Sequence, residues 1–396
     1  MCVYASNMNA ACIHAMHEYI STFMQTDTQK CQTDAEKQKA ILIWSGSANA
    51  PSPIPAKVRA VNRLGMGNGG GTWLTHKDRL ALSLRVGGQV ALAPLTFTLP
   101  RERPALQRHC DEQSGGQTIW IVKLARNGRS RGTYVTRTIG SISGGGDCVV
   151  CQYIERPLLV HGHKHDLRLY VIVFPSSPAR SFSQSFIHTG GYVRFAAKEF
   201  SLADLETGDT WDPFVHLTYL DSVDRLQHRI QREKEWTVKD YFKYLGEQPE
   251  YGPEQSAGLW KAIKELARRS IGCLPQSLLL REEDSREGDV GPSAFELFGF
   301  DVLVDADLRP WLLEVNGQPH LGSSSKNGAS VFVAEHEAKS AVVAGTLTLA
   351  LADPAADLHH VAQDVGFESL AVHDPVGNCW WKQASLPGQT YESQST

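Results

Sequence analysis

No apolar run in this chain reaches the ~18 residues that a membrane-spanning helix needs, so no membrane partner is expected. The N-terminus, MCVYASNMNAACIHAMHEYI, lacks the basic stretch followed by an apolar one that marks a secretory leader. Cysteine is sparse: eight residues, scattered, which argues against a disulfide framework and suits a reducing compartment. An excess of positive charge is missing too. A formal net charge of -4 speaks against general nucleic-acid binding, while leaving room for local patches. Nothing in the chain has the Ser/His/Asp or Cys/His pattern of a covalent catalyst. A cytoplasmic globular protein is the expectation.

What is present fills in that outline. With 396 residues, 42% of them hydrophobic, the chain can bury a substantial core in two or three subdomains. Residues 1–35 are polar and weakly patterned and read as an arm; SANAPSPIP at 47–55 reads as an irregular linker. Gly65, Gly67 and Gly70 match GxGxxG, yet no strand precedes them and no acidic residue follows at the right distance, so a loop is expected. From Gln117 onward, TIWIVKLA, TYVTRTI, CVVCQYI and HDLRLYVIVF read as strands. Cys148 and Cys151 lack the second Cys/His pair of a structural zinc site and read as buried hydrophobes. Residues 222–245, 254–271 and 331–351 read as helices, with Leu259, Trp260, Ile263, Leu266 and Ala267 facing a core. REEDSREGDVGP at 281–292 reads as a charged surface loop; the tail after Pro354, with Trp380 and Trp381, carries no pattern.

Two stretches carry chemistry. Residues 113–146 hold Lys123, Arg126, Arg129, Arg131 and Arg137, a local basic patch suited to a polyphosphate or an acidic peptide. In FELFGFDVLVDADLRPWLLEVNGQP, carboxylates sit inside strand-forming runs. Strand alternation puts Leu312, Glu314 and Asn316 on one face. A turn at 306–309 would set Asp301 opposite Glu314, about 5 Å away across the strands. Carboxylates that close need a positive partner, and a magnesium pair held by Asp301, Glu314 and Asn316 would supply one. By the same alternation Lys164, Asp166 and Arg168 share a face, as an ion-pair ladder or as a phosphate and substrate clamp.

These residues resemble the tubulin tyrosine ligase-like enzymes, ATP-grasp ligases that add amino acids to tubulin tails. The resemblance runs from about Trp73 to Leu349 through WIVK, QYIERPLLV, KHDLRLYVIV, GYVRFAAKEF, FVHLT and FELFGFDVLVDADLRPWLLEVN. It implies an α+β ATP-grasp fold: two α+β lobes around a nucleotide cleft, with a smaller N-terminal lobe. The implied divisions are an arm (1–60), an N-terminal lobe (61–116), a central lobe (117–154), a C-terminal lobe (155–353) and a tail (354–396). ATP would meet Lys77, Lys123, Arg129, Arg131, Gly132, Gln152, Tyr153, Ile154, Lys164, Asp166 and Thr218. Mg2+ would sit on Asp301, Glu314 and Asn316, and Lys164, Arg168 and Arg194 would face the reacting groups.

The implied partners are tubulin or microtubules, through the acidic C-terminal tail, and a free amino acid. A substrate carboxylate attacks the γ-phosphate of ATP, and an amine then displaces phosphate. Glutamate is the expected addition; tyrosine ligation and a weakly catalytic tubulin-binding pseudoenzyme are the alternatives. The family pattern is altered at Thr133, Cys151, Gln152 and Tyr219.

Overall fold

The computed structural model describes residues 2–6, 29–30, 40–45, 60–62, 72–113, 118–125, 130–142, 147–175, 183–205, 211–219, 236–274, 293–317, 319–321, 333–353 and 356–373. The first 62 residues contribute β1 (Cys2–Ser6), β2 (Gln29–Lys30), β3 (Ala40–Ser45) and β4 (Ala60–Asn62), paired in parallel. The polar texture read as an arm thus contains strands. Runs such as AILIWS are too short to carry a period of their own.

Helices α1 (Thr72–Thr75) and α2 (Lys77–Val86) precede a small sheet. That sheet comprises β5 (Thr96–Leu99), β6 (Trp120–Leu124), β7 (Tyr134–Thr136) and β8 (Cys148–Gln152), in the antiparallel order β5-β8-β6-β7. Helix α3 (Arg103–Glu112) covers one face, burying Leu106 against Phe97, Leu99, Trp120, Val122 and Val150. Cys148 is in that core, and both it and Cys151 are free thiols. Three residues apart on a strand, they point to opposite faces and cannot grip one ion.

The large sheet adds β9 (Leu159–Val160), β10 (His163–Phe174), β11 (Ser183–Phe195), β12 (Ser293–Val304), β13 (Pro310–Asn316) and β14 (Phe367–His373). Its order is β14-β11-β10-β12-β4-β3-β1-β2, with β13 beside β12 and β9 beside β10. Pairing is antiparallel from β14 to β12 and parallel from there to β4. Around it lie α4 (Pro213–His216), α5 (Val238–Glu247), α6 (Gly252–Ile271), α7 (Val333–Leu351) and α8 (Leu358–Asp364).

Strand β10 explains where the site falls. Leu167, Leu169, Val171 and Val173 pack on one face with Tyr241 and Leu245 of α5 and Leu259, Ile263 and Leu266 of α6. Tyr170, Ile172 and Phe174 pack on the other with Val342, Val343 and Leu347 of α7 and Leu358 of α8. A strand covered on both sides reads as a continuous apolar run, and each such side chain contributes about 1.5–3 kcal/mol on burial. At the start of β10 the α7-side face carries Asp166 and Arg168 instead, and there the site begins. Gly191 of β11 lets the chain pass that point, because a Cβ there would clash with the Arg168 carbonyl oxygen.

The β12–β13 hairpin turns through residues 305–309, one residue earlier than the sequence suggests, with Val304 opposite Pro310. Asp305 holds the turn by accepting from the Asp307 and Arg309 backbone N–H groups at 3.0 and 2.9 Å. A bulge at Leu313 then restores the offset, so Asp301 does face Glu314. The stretch after Pro354, patternless in sequence, supplies α8 and the edge strand β14. The expectations for 47–55, the glycine loop around 65–70, residues 222–235, 281–292 and Trp380–Trp381 lie outside the described residues.

Candidate active site

Asp301 lies between Arg168 on β10 and Glu314 on β13, directly opposite each. Arg168 grips it with two bonds, Nε to Oδ1 at 2.5 Å and Nη2 to Oδ2 at 3.0 Å. Arg194 of β11 reaches the same Oδ2 through Nη2 at 2.9 Å, and its Nε bonds Asp166 Oδ1 at 2.5 Å. Thr218 donates its hydroxyl to Asp166 Oδ2. Asn316 Nδ2 closes the group, 3.3 Å from Asp301 Oδ2 and 3.4 Å from the Gly299 carbonyl.

Asp166, Arg168, Arg194 and Asp301 are all buried. Burial alone would raise the Asp301 carboxyl; the guanidiniums of Arg168 and Arg194 outweigh it and hold Asp301 well below the usual carboxylate range. Their charges are returned in kind, since Asp166 and Asp301 push Arg194 above its ordinary value against burial. Desolvation offsets much of the attraction in a buried pair. The lattice therefore fixes where two guanidiniums point more than it adds stability. Carboxylates in an apolar strand are accounted for by arginines arriving from neighbouring strands.

Glu314 is the open member, with a side chain 30% exposed, and pairs with Lys77 at 3.4 Å. Lys77 is the first residue of α2, so the N-terminal segment reaches the hairpin through it. Lys164 begins the charged row on β10, donating to Tyr153 Oη at 2.8 Å and to the His216 carbonyl at 3.0 Å. Burial, then the charge of Lys123 on β6, pulls the Lys164 amine down to about 7. Short helix α4, capped by the Asp212 carboxylate on the Phe214 N–H at 2.8 Å, aims His216 and Thr218 at this row.

Arg131 and Gly132 belong to the loop after β6. Gly132 has φ +68, where a Cβ would lie 2.8 Å from Leu124 Cδ1. Ser130 Oγ ties that loop to the Tyr219 carbonyl at 2.7 Å, next to Thr218. At the end of β8, Gln152 is exposed and Ile154 half-buried; the Gln152 and Tyr153 N–H groups bond the Leu95 and Ile119 carbonyls, both at 2.8 Å. Thus Arg168, Arg194, Asp166, Thr218, Asp301, Glu314, Asn316 and Lys77 form one connected set, with Lys164 and Tyr153 alongside. Gln152 and Ile154 lie apart from that set, and Arg129 lies outside the described residues. Arg137, read as part of the basic patch, spends its Nε on the Leu205 carbonyl at 3.2 Å.

A hard cation takes oxygen ligands, and magnesium keeps several waters of its own. Glu314 and Asn316 present such oxygens at the rim, and Asp301 Oδ1 accepts a single arginine bond while Oδ2 accepts three others. Among the described residues no group of three or more His, Cys, Asp or Glu side chains is gathered for a metal. The trio, two carboxylates and an amide, fits an ion that completes its shell with water and phosphate.

Two features escaped the sequence reading. His216, inside FVHLT, has its Nδ1 2.8 Å from the Tyr153 hydroxyl and its Nε2 3.0 Å from the Asp204 carboxylate. His216 stood two residues from Thr218 in a quoted motif; Asp204 carried no signal at all.

A small antiparallel sheet, and a large mixed sheet that carries the buried arginine–carboxylate lattice on β10, β11 and β12, make this an ATP-grasp-like α/β protein. The profile of the Tubulin-tyrosine ligase family matches residues 70–335, and the chain belongs to that family. A probable tubulin polyglutamylase TTLL2 from Mus musculus is 33% identical over 279 residues, covering 66% of this chain and 47% of the relative. Its counterpart from Homo sapiens is 30% identical over 268 residues, covering 64% and 41%. The tubulin monoglutamylase TTLL4 of Homo sapiens is 30% identical over 271 residues, covering 65% and 21%. The chain spans about half or less of the length of these relatives. Among the described residues no helix is long and apolar enough to cross a membrane.

Proposed function

We propose that this chain is an ATP-dependent carboxylate–amine ligase that adds glutamate to the acidic tails of tubulin, acting at microtubules of the cytoplasm or of a cilium or flagellum. The observation that carries this reading is the Asp166–Arg194–Asp301–Arg168 lattice with Glu314 and Asn316 at its rim. Phosphoryl transfer needs positioned charge in a dry site more than it needs a protein nucleophile. Names of relatives as polyglutamylases and a monoglutamylase favour glutamate over tyrosine.

In this reading Lys123, Arg131 and the Gly132 turn hold the phosphates, with Lys77 at the rim and Arg129 contributing from the same loop. Gln152, Tyr153 and Ile154 line the base side, and Thr218 and Asp166 the ribose or phosphate side. Arg168 and Arg194 face the carboxylate to be activated and, being locked by Asp301 and Asp166, need no reorganisation as charge moves. Asp301, Glu314 and Asn316 would hold Mg2+, which when bound neutralises phosphate charge as transfer proceeds. Lys164 lines the nucleotide and acceptor side of the cleft with Asp166 and Arg168.

Hydroxylamine tests the acyl-phosphate step. With ATP and tubulin but no amino acid, it should convert activated tail carboxylates to hydroxamates, seen by mass spectrometry. ATP consumption without any tail hydroxamate would overturn the proposed chemistry.

A further inference from the structure

One residue touches both the loop after β6 and the arginine lattice, and no role above uses it. Tyr219, half-buried, lies just past α4. Its backbone carbonyl accepts the Ser130 hydroxyl at 2.7 Å, from 89 positions away. Its ring lies under the Arg194 guanidinium, 5.9 Å from Cζ to the ring centroid, within the reach of a cation–π contact. The residue before it, Thr218, donates to Asp166 Oδ2, while Asp166 Oδ1 accepts Arg194 Nε at 2.5 Å. Two consecutive residues thus hold Arg194 from two sides, one directly and one through Asp166. Tyr219 is also a position at which this chain departs from the family pattern.

The loop end of this connection is backbone that needs holding. Ser130 has φ +56 and Gly132 φ +68, and the first is a left-handed conformation that a residue with a Cβ rarely adopts. The Ser130 carbonyl accepts the Thr133 N–H at 3.1 Å, which makes residues 130–133 a tight turn. The hydroxyl bond to Tyr219 helps to offset the strain of that turn.

The arginine end is nearly spent. Arg194, 7% exposed, gives Nε to Asp166 and Nη2 to Asp301. Its third nitrogen, Nη1, is bonded to no described residue. The Tyr219 ring keeps water from one face of the guanidinium. A hydrogen bond that Nη1 makes in such a place is stronger than the same bond in water.

We propose that Tyr219 is a positioning residue that couples the loop at Ser130 to Arg194, so that ATP held by the loop tightens the hold of Arg194 on the carboxylate to be activated. This rests on the ligase reading, which sets phosphate at Arg131 and Gly132 and the carboxylate at Arg194. The path is short. Phosphate fixes the turn, Ser130 fixes the Tyr219 carbonyl, and the Tyr219 backbone fixes the ring against Arg194. Order that the nucleotide has imposed need not be imposed again by the carboxylate, so the second ligand binds more tightly. Linkage makes the effect reciprocal: the acidic tail tightens ATP by the same factor.

Titration of the whole chain with an oligoglutamate peptide, with and without the non-hydrolysable β,γ-imido-ATP, reads the coupling. The nucleotide should tighten the peptide by about fivefold in the wild type. Ser130→Ala and Tyr219→Leu should each bring that factor close to one, and the double variant should lose no more than either. Tyr219→Phe keeps the ring and should keep the coupling. A merely loosened fold would lower both affinities and leave their ratio alone. A wild type that binds both ligands without coupling, coupling that survives Ser130→Ala and Tyr219→Leu, or a Tyr219→Phe as impaired as Tyr219→Leu would overturn the proposal. Amide exchange in the ligand-free protein gives a readout apart from ATP and ligation. Ser130→Ala should speed exchange across residues 213–219, and unchanged exchange there would also overturn it. A wild type that binds neither ligand would count against the ligase reading, and the exchange would still decide whether Ser130 holds Tyr219.

Discussion

Replacing Glu314 by Gln should abolish ligation and leave the fold standing, while Asp301→Asn should damage both. The difference follows from burial. The Glu314 side chain is 30% exposed and its partner Lys77, 3.4 Å away, is 15% exposed, so the pair lies at the rim with water on one side. Such pairs are worth about 0–1 kcal/mol, and Gln keeps the volume of Glu. Asp301 is 1% exposed and compensates two guanidiniums, at 2.5 Å to Arg168 and 2.9 Å to Arg194. Removing one partner of a buried ion pair costs about 3–5 kcal/mol, a large part of the 5–15 kcal/mol typical of a whole domain. Urea unfolding followed by tryptophan fluorescence reads the stability difference; turnover at saturating magnesium reads the function. Wild-type turnover by Glu314→Gln would remove Glu314 from the site. Equal destabilisation by the two variants would refute the ranking by burial.

Lys123→Ala should weaken ATP binding more than tubulin binding if, as proposed, Lys123 meets phosphate; separate affinity measurements showing equal losses would contradict that role. His165 is buried between the rings of Phe195 and Tyr241, and burial lowers it to about 4. The unfolded chain therefore takes up the proton first, and stability is lost as pH falls from about 6.5 to about 4, by about 3 kcal/mol in all. His165→Phe should flatten that acid limb in urea titrations at about pH 4.5 and about pH 7, and an unchanged limb would clear His165. Thr237 and Asp240 form a reciprocal capping box at the start of α5; Thr237→Ala should lower stability by about 1 kcal/mol without altering turnover, and a stability unchanged within error would show the cap to be idle.

The local part of the site was legible because strand period is strict. Alternation put Asp166 with Arg168 and Glu314 with Asn316, and the Asp301–Glu314 pairing survives because an early turn and a bulge at Leu313 cancel. The partners across strands were not legible. Arg168 and Asp301 are 133 positions apart, and only the neighbourhood of β10 and β12 brings them together. The guanidiniums that neutralise Asp301 therefore left no mark in the hairpin's own sequence. Short strands such as β5 and β4 fall below the length at which a period can be recognised. Asp204 reaches His216 from a single turn of helix at Ala203–Leu205, a placement with no periodic signature.

The most direct test is to incubate the purified chain with tubulin, ATP, magnesium and each labelled amino acid in turn, then to read the tubulin tails by mass spectrometry. Glutamate should be incorporated, dependent on ATP and lost in Glu314→Gln. Incorporation of tyrosine alone would assign the site to the other branch of the family's chemistry. No incorporation of any amino acid by a folded protein that binds tubulin would contradict the ligase reading itself.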